Sequence, residues 1–325
     1  MLAGALLAAF VVSFVGLRLL LSALGNFALD LPNARSLHER PVPRSGGLAV
    51  IAGSMLALAF GAASLWLPCA LAVALAALSF LDDLRAIPTL SRLAGHFAAA
   101  AALVWHALSP MHPLELALLI VAVVWITNLY NFMDGSDGLA AGMSTLGFGT
   151  YALAAVVAGD VPLATLTGAI SAACAAFLIY NFHPARIFLG DVGSIPLGFL
   201  AAALGLIGWR NDDWPLWFPV LVFGPFIGDA TLTLARRALR REPVWRAHRE
   251  HYYQRLVRMG FGHRGTALIS YAAMLVCAAA ALAGRTAASA GQAAAFGGAS
   301  LALAAVAVWI DLRWARHRRQ EEASA

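Results

Sequence analysis

The chain has 325 residues, of which 61% are hydrophobic and only 12% charged, with a formal net charge of +5. A soluble globular domain carries about 25% charged residues, so this composition excludes an ordinary soluble fold. All 22 basic residues are arginines, which suits a basic surface beside anionic membrane lipid and gives no reason to expect a nucleic-acid partner.

The first apolar run, 2–24, lacks a basic leader and a small-residue cleavage site followed by a soluble domain. It is expected to be a membrane helix and not a cleaved signal. Spans need about 20 apolar residues, and ten further runs qualify or nearly so: 46–62, 64–80, 93–108, 114–129, 138–158, 162–180, 195–209, 215–235, 265–284 and 291–312. The expected fold is an all-α polytopic membrane protein of about 10–11 transmembrane helices. Cys69, Cys174 and Cys277 fall inside these runs as small core residues, without disulfide or metal spacing.

Alternating the spans sorts the loops into two sets. The loops 25–45, 81–92, 130–137, 181–194, 236–264 and 313–325 hold 19 of the 22 arginines, whereas the opposite loops hold only Arg210 and Arg285. The positive-inside rule makes the first set cytoplasmic, with the N-terminus periplasmic and the C-terminus cytoplasmic. Three acidic clusters, in the loops 81–92, 130–137 and 181–194, then fall on the cytoplasmic side.

The first cytoplasmic loop runs into PVPRSGG, where prolines block helix and Gly46-Gly47 allow a tight turn. Arg35, His38, Arg40 and Arg44 are either ordinary positive-inside anchors or an anion site in which the glycines expose backbone N–H groups. The second holds Asp82-Asp83. Adjacent carboxylates at a helix end repel unless solvated, paired with a cation or protonated. The third, NLYNFMDGSDG, carries Asn128, Asn131, Asp134 and Asp137. The two aspartates share a face if helical, and the oxygen ligands of an EF-hand are missing.

The fourth, NFHPARIFLGDVGS, places Asn181, Phe188 and Asp191 before Gly193-Ser194, which can open a helix. A carboxylate beside free N–H groups suits Mg²⁺ bridging to a diphosphate. Phe188 either contacts lipid or stacks on a base. The fifth, Arg236–Arg264, is the only cytoplasmic segment near 30 residues. His248 and His251 are expected on one helix face, as part of a phosphate-binding lid or of a basic amphipathic surface helix. Zinc spacing is lacking. Asp229 lies inside a span, placed to line the same cleft or to pair with an Arg.

These ordered motifs resemble those of the polyprenyl-phosphate N-acetylhexosamine-1-phosphate transferases, glycosyltransferase family 4, to which phospho-MurNAc-pentapeptide translocase belongs. The likeness runs from Asp30 to about Arg264 and is closest to the branch that initiates O-antigen synthesis. It implies a single multi-pass membrane transferase domain over 1–325. The implied reaction moves a GlcNAc-, FucNAc- or QuiNAc-type sugar 1-phosphate from a UDP-N-acetylated sugar to undecaprenyl phosphate, releasing UMP. It also implies Mg²⁺ on Asp191, with Mn²⁺ as a substitute, and Asp82 and Asp83 beside the lipid phosphate. Asp134, Asp137 and Phe188 would serve the uridine, and His248 and His251 the diphosphate or sugar. Arg44, Asn128, Asn131 and Asn181 complete the implied substrate-binding set, in the inner membrane, with a homodimer left open.

Two departures stand out: Arg85 is the nearest cation after the aspartate pair where many relatives carry Lys, and HREHYY replaces a contiguous histidine run. Arg cannot shuttle protons as Lys can. A prenyltransferase with two Asp-rich motifs would leave the LGDVGS, PRSGG and His segments unexplained. A transporter would need repeats and buried midplane polar groups, and no repeat is present.

Overall fold

A computed structural model describes residues 1–23, 29–30, 37, 41–243 and 248–324. Arg35, His38, Arg40 and Arg246 lie outside the described residues. The helices are α1 (Leu2–Ala23), α2 (Gly46–Met55), α3 (Trp66–Arg85), α4 (Thr89–Leu108), α5 (Pro113–Phe132), α6 (Leu139–Ala158) and α7 (Val161–Asn181). They continue as α8 (Asp191–Arg210), α9 (Trp217–Val222), α10 (Gly224–Leu239), α11 (Tyr252–Leu256), α12 (Gly262–Gly284) and α13 (Ser289–Ser324). The only described strands, β1 (Leu29–Asp30) and β2 (Val42–Pro43), form one short antiparallel pair.

Among the described residues eight helical segments are long and apolar enough to cross a membrane, so this is an all-α, multi-pass membrane protein. The strict number is below the expected 10–11, because three of the expected spans take other forms. The run 46–62 forms the short α2 and then tightens into 3₁₀ turns at Leu56–Phe60 and Ala63–Leu65. α4 is long enough but carries Arg92, His96 and His106. The run 215–235 breaks at Phe223, between α9 and α10. At the C-terminal end, 313–324 continues α13 instead of forming a tail. Its Arg, Ala, Gln and Glu are good helix formers and no Pro or Gly stops it.

α8 is almost wholly buried and forms the axis of the bundle. α3 and α5 pack along it, and α1, α6 and α7 form a second group joined to it through α2. Tyr151, Phe148, Phe218, Phe223 and Trp214 interlock between α6, α8 and α9. α12 and α13 lie outside, and α13 is the most exposed span. This arrangement brings the ends of α3, α5, α7 and α10 and the starts of α2, α4, α6 and α8 to one end of the molecule.

Candidate active site

The scaffold of that end is two turns locked face to face. Gly46 N–H donates to Phe188 O at 3.0 Å, Gly47 N–H to Leu189 O at 2.9 Å, and Phe188 N–H to Pro43 O at 2.7 Å. The approach requires glycine: a Cβ on Gly47 would stand 2.3 Å from the Gly193 nitrogen. Gly190 has φ +70° and sits against the Arg44 carbonyl. The expectation that Gly46 and Gly47 expose N–H groups to an anion is therefore corrected, since backbone carbonyls take both. The Gly193 and Ser194 N–H groups likewise go to Gly190 O. In both turns the glycines serve close packing, which holds Arg44 beside the start of α8.

Helix α8 opens at Asp191 itself, two residues before the Gly193-Ser194 pair expected to open it. A carboxylate in the first turn is favoured by the helix dipole. Asn131, at the end of α5, donates to Asp191 Oδ1 at 2.8 Å and to Ser194 Oγ at 2.9 Å. Asp82 and Asp83 occupy the last turn of α3, not a loop, and their carboxylates take different partners. Asp83 Oδ1 is 2.9 Å from Arg44 Nη2. Asp82 accepts from Ile87 N–H at 2.7 Å and from Arg92 Nη1 at 2.6 Å. Arg92 Nη1 also lies 3.6 Å from Asp191 Oδ2. Thus Arg92 ties Asp82 of α3 to Asp191 of α8, and Arg44 pairs with Asp83 beside them. The Nε atoms of both arginines are buried and have no partner among the described residues.

Asp134 and Asp137 do not share a helix face, because 133–138 is a turn. Asp134 joins the cluster: burial pushes its carboxyl well above the usual range, with further upward pressure from Asp191 and Asp30, against one backbone hydrogen bond from Gly190. Asp137 turns away. Its Oδ2 takes His183 Nδ1 at 2.7 Å and Ala185 N–H at 3.1 Å. Asn181 is similarly occupied, accepting from Gly138 N–H at 2.9 Å and donating to Ile187 O at 3.0 Å. It braces two loops against each other. Asn128 donates to Val124 O at 2.7 Å and bonds the buried His96. Phe188 is half-buried in the locked turn.

His248 and His251 precede α11 and do not ride on one helix, although their rings stand 4.9 Å apart. Asp229 organises this segment. Its carboxylate accepts from Tyr252 N–H at 2.9 Å, Tyr253 N–H at 3.0 Å and His251 Nδ1 at 3.1 Å. A residue of α10 thus caps α11, and no Arg pairs with it among the described residues. The Tyr253 hydroxyl reaches Phe132 O at 3.1 Å, over the bare Gly135 beside Asp134. That contact docks α11 onto the acidic turn. Burial, then His251 and Arg237, push His248 down to about 4.

The sequence reading missed Arg92 and the bracing pair His183 and His263. His263 Nδ1 is 2.9 Å from Ser136 Oγ, and its ring stacks on His183 at 5.3 Å. Arg92 had a signal: Pro88 starts α4, which puts Arg92 near its first turn and opposite the aspartates. The histidines had none, because their partners are distant in sequence.

For a divalent cation, no three His, Cys, Asp or Glu groups among the described residues form a ready cage. Mg²⁺ commonly takes one or two carboxylates and fills its shell with water and substrate phosphate. Asp191, whose charge bears on both Asp83 and Asp134, fits a site of that kind.

Residues 65–208 match the sequence profile of glycosyl transferase family 4. The chain is 32% identical over 263 residues to a probable undecaprenyl-phosphate N-acetylglucosaminyl 1-phosphate transferase of Bacillus subtilis, covering 75% of this chain and 74% of that protein. The chain belongs to glycosyl transferase family 4. A decaprenyl-phosphate N-acetylglucosaminephosphotransferase of Mycobacterium tuberculosis is 30% identical, over 78% of this chain and 74% of its own length. A phospho-N-acetylmuramoyl-pentapeptide-transferase of Moorella thermoacetica is 45% identical over a shorter 104 residues, 32% of this chain and 31% of that protein. The family profile spans α3 to α8, and so includes Asp82, Asp83, Arg92, Asn131, Asp134 and Asp191 of the cluster.

Proposed function

We propose that the protein transfers an N-acetylhexosamine 1-phosphate from a UDP-sugar to undecaprenyl phosphate, giving undecaprenyl-diphosphate-sugar and UMP. The observation that carries this reading is the pairing of three aspartates with two arginines whose buried Nε atoms lack an acceptor among the described residues. Two anionic reactants must meet there, and such a transfer depends on positioning and charge neutralisation. The named activities of the relatives point to GlcNAc as the sugar. The reaction initiates O-antigen or another cell-surface polysaccharide. The loop arginines favour the bacterial inner membrane with the site cytoplasmic.

Asp191 would hold Mg²⁺, which when bound would neutralise the diphosphate. Asn131 fixes the Asp191 carboxylate, and Arg92 ties it to Asp82. Asp83, held by Arg44, faces the lipid phosphate. An oxygen of that phosphate attacks the phosphorus bearing the sugar, and the anhydride bond to UMP breaks in line. A phosphate monoester is largely dianionic at neutral pH, so positioning of the nucleophile matters more than its deprotonation. Phe188 and Asp134 serve the nucleoside, and α11 closes over the diphosphate.

The test is an assay of membranes with undecaprenyl phosphate and radiolabelled UDP-GlcNAc, UDP-FucNAc and UDP-QuiNAc. Lipid-linked label with stoichiometric UMP is expected from UDP-GlcNAc. Lipid-linked label without UMP, or none from any donor, would reject the reading.

A further inference from the structure

A second charged cavity opens at the same end of the molecule, away from the aspartate cluster. The end of α10, the start of α11, the turn after it and the last turns of α13 enclose about 700 Å³. Arg236, Arg240, Arg255, Arg258 and Arg318 line it against two carboxylates, Asp311 and Glu250. Both carboxylates are already taken. Asp311 binds Arg236 through two bonds of 2.9 and 2.8 Å, and Arg255 at 2.9 Å. Glu250 is shared by Arg237 and Arg240. Neither Arg258 nor Arg318 has a carboxylate partner among the described residues; the Arg258 guanidinium rests on Trp314, 4.7 Å from its centroid. The cavity therefore keeps net positive charge after its internal pairs are counted.

We propose that this cavity binds the phosphate head group of an anionic phospholipid. Basic pockets between transmembrane helices are suited to such head groups, and Trp marks the membrane–water interface. α13 passes here from its apolar stretch into Arg313, Arg316, Arg318 and Arg319, which places the cavity mouth at that interface. Leu239, 85% exposed on the rim, offers apolar surface to an acyl chain. A soluble phosphate would use only the polar half of this surface.

The cavity is also wired to the candidate active site. Tyr252 donates its hydroxyl to Asp311 at 3.2 Å and lies between the Arg236 and Arg255 guanidiniums, 5.4 and 5.2 Å from its ring centroid. The same residue gives its backbone N–H to Asp229, and its neighbour Tyr253 reaches Phe132 O. A head group held on Arg258 and Arg318 steadies α13 against α11, and so holds α11 docked. This coupling rests on the proposed transferase reading, whereas the binding does not.

The experiment uses the full chain in nanodiscs carrying a photoactivatable phosphatidylglycerol, with photoactivatable phosphatidylcholine as control and peptide mapping by mass spectrometry. Crosslinks are expected on the peptides bearing Arg258 and Trp314 with phosphatidylglycerol, and far fewer with phosphatidylcholine. Arg258→Gln with Arg318→Gln should weaken labelling roughly 25-fold, from about 1 kcal/mol per basic residue at an anionic surface and tenfold per 1.4 kcal/mol. Equal labelling by both lipids, or unchanged labelling of the double variant, would overturn the site. Competition by inorganic phosphate or glycerol phosphate would make the occupant a soluble anion and overturn the lipid assignment. Transferase activity should rise with phosphatidylglycerol in the parent protein and not in the double variant; an equal rise in both would remove the coupling. Crosslinking in a protein without transferase activity would fail the functional reading and leave the lipid site standing.

Discussion

Asp229→Ala should release α11 from the bundle while leaving the spans folded. Asp229 accepts two backbone N–H groups at 2.9 and 3.0 Å and His251 Nδ1 at 3.1 Å, and it is only 9% exposed. Hydrogen bonds to a charged group contribute about 1.5–3 kcal/mol each, so the two backbone bonds alone amount to about 3–6 kcal/mol. Water reaches the freed N–H groups once the segment opens, which brings the loss toward that of a helix cap, about 0.5–2 kcal/mol. A middle value of about 3 kcal/mol shifts the docked-to-open ratio by roughly 150-fold. Hydrogen exchange followed by mass spectrometry reads this directly. The Tyr252 and Tyr253 amides should exchange about a hundredfold faster, while peptides from buried α8 keep their protection. Asp229→Asn, with one acceptor oxygen left, should fall between. Wild-type exchange at Tyr252 and Tyr253 in Asp229→Ala would refute the claim that Asp229 holds the segment.

Asp191→Asn should abolish turnover with expression unchanged, because Asn131 can still bond the amide oxygen but the charge is gone; near-normal activity at limiting Mg²⁺ would remove Asp191 as the cation ligand. His248 has a folded pKa pushed down to about 4 from an ordinary 6.5. Between those values the open segment binds the proton and the docked one does not, so docking weakens as pH falls from 6.5 toward 4. Protection of the Tyr253 amide, its exchange rate taken relative to the intrinsic rate at each pH, should fall as pH falls across that window, and this dependence should weaken in His248→Gln. Gly47→Ala would put a methyl 2.3 Å from the Gly193 nitrogen. Backbone must move, at about 1–3 kcal/mol or more, so a lowered melting temperature in detergent is expected alongside lost activity. At the opposite end, burial and the nearby Asp160 push the Asp213 carboxyl up to about 7. The folded state holds that proton where the unfolded chain has lost it, so stability falls as pH rises from 4 to 7. Asp213→Asn should therefore raise the melting temperature at pH 8, and an unchanged value would dismiss the raised Asp213 carboxyl.

Membrane class, the rough spans and the chemistry-bearing loops were all legible in the chain itself. Long apolar runs and one-sided arginines are local or additive signals, and they survive without knowledge of packing. That Asp82-Asp83, Asn131 and Asp191 come to one end of the bundle was also legible, because alternating the spans puts their loops on one side. Partnership was not legible. Which cation meets which aspartate depends on the approach of α2, α3, α4 and α8, and Arg92 entered only through that approach. Periodicity placed Asp134 and Asp137 together if helical, yet a turn sends one into the cluster and the other to His183. The glycine pairs looked like anion cradles, but only tertiary contact shows that their N–H groups close one turn upon another. The histidine segment has a recognisable composition and no intrinsic shape. Its place is decided by a buried carboxylate from α10 and an Asp on α13, each far away in sequence, because a short helix cannot supply its own end with acceptors.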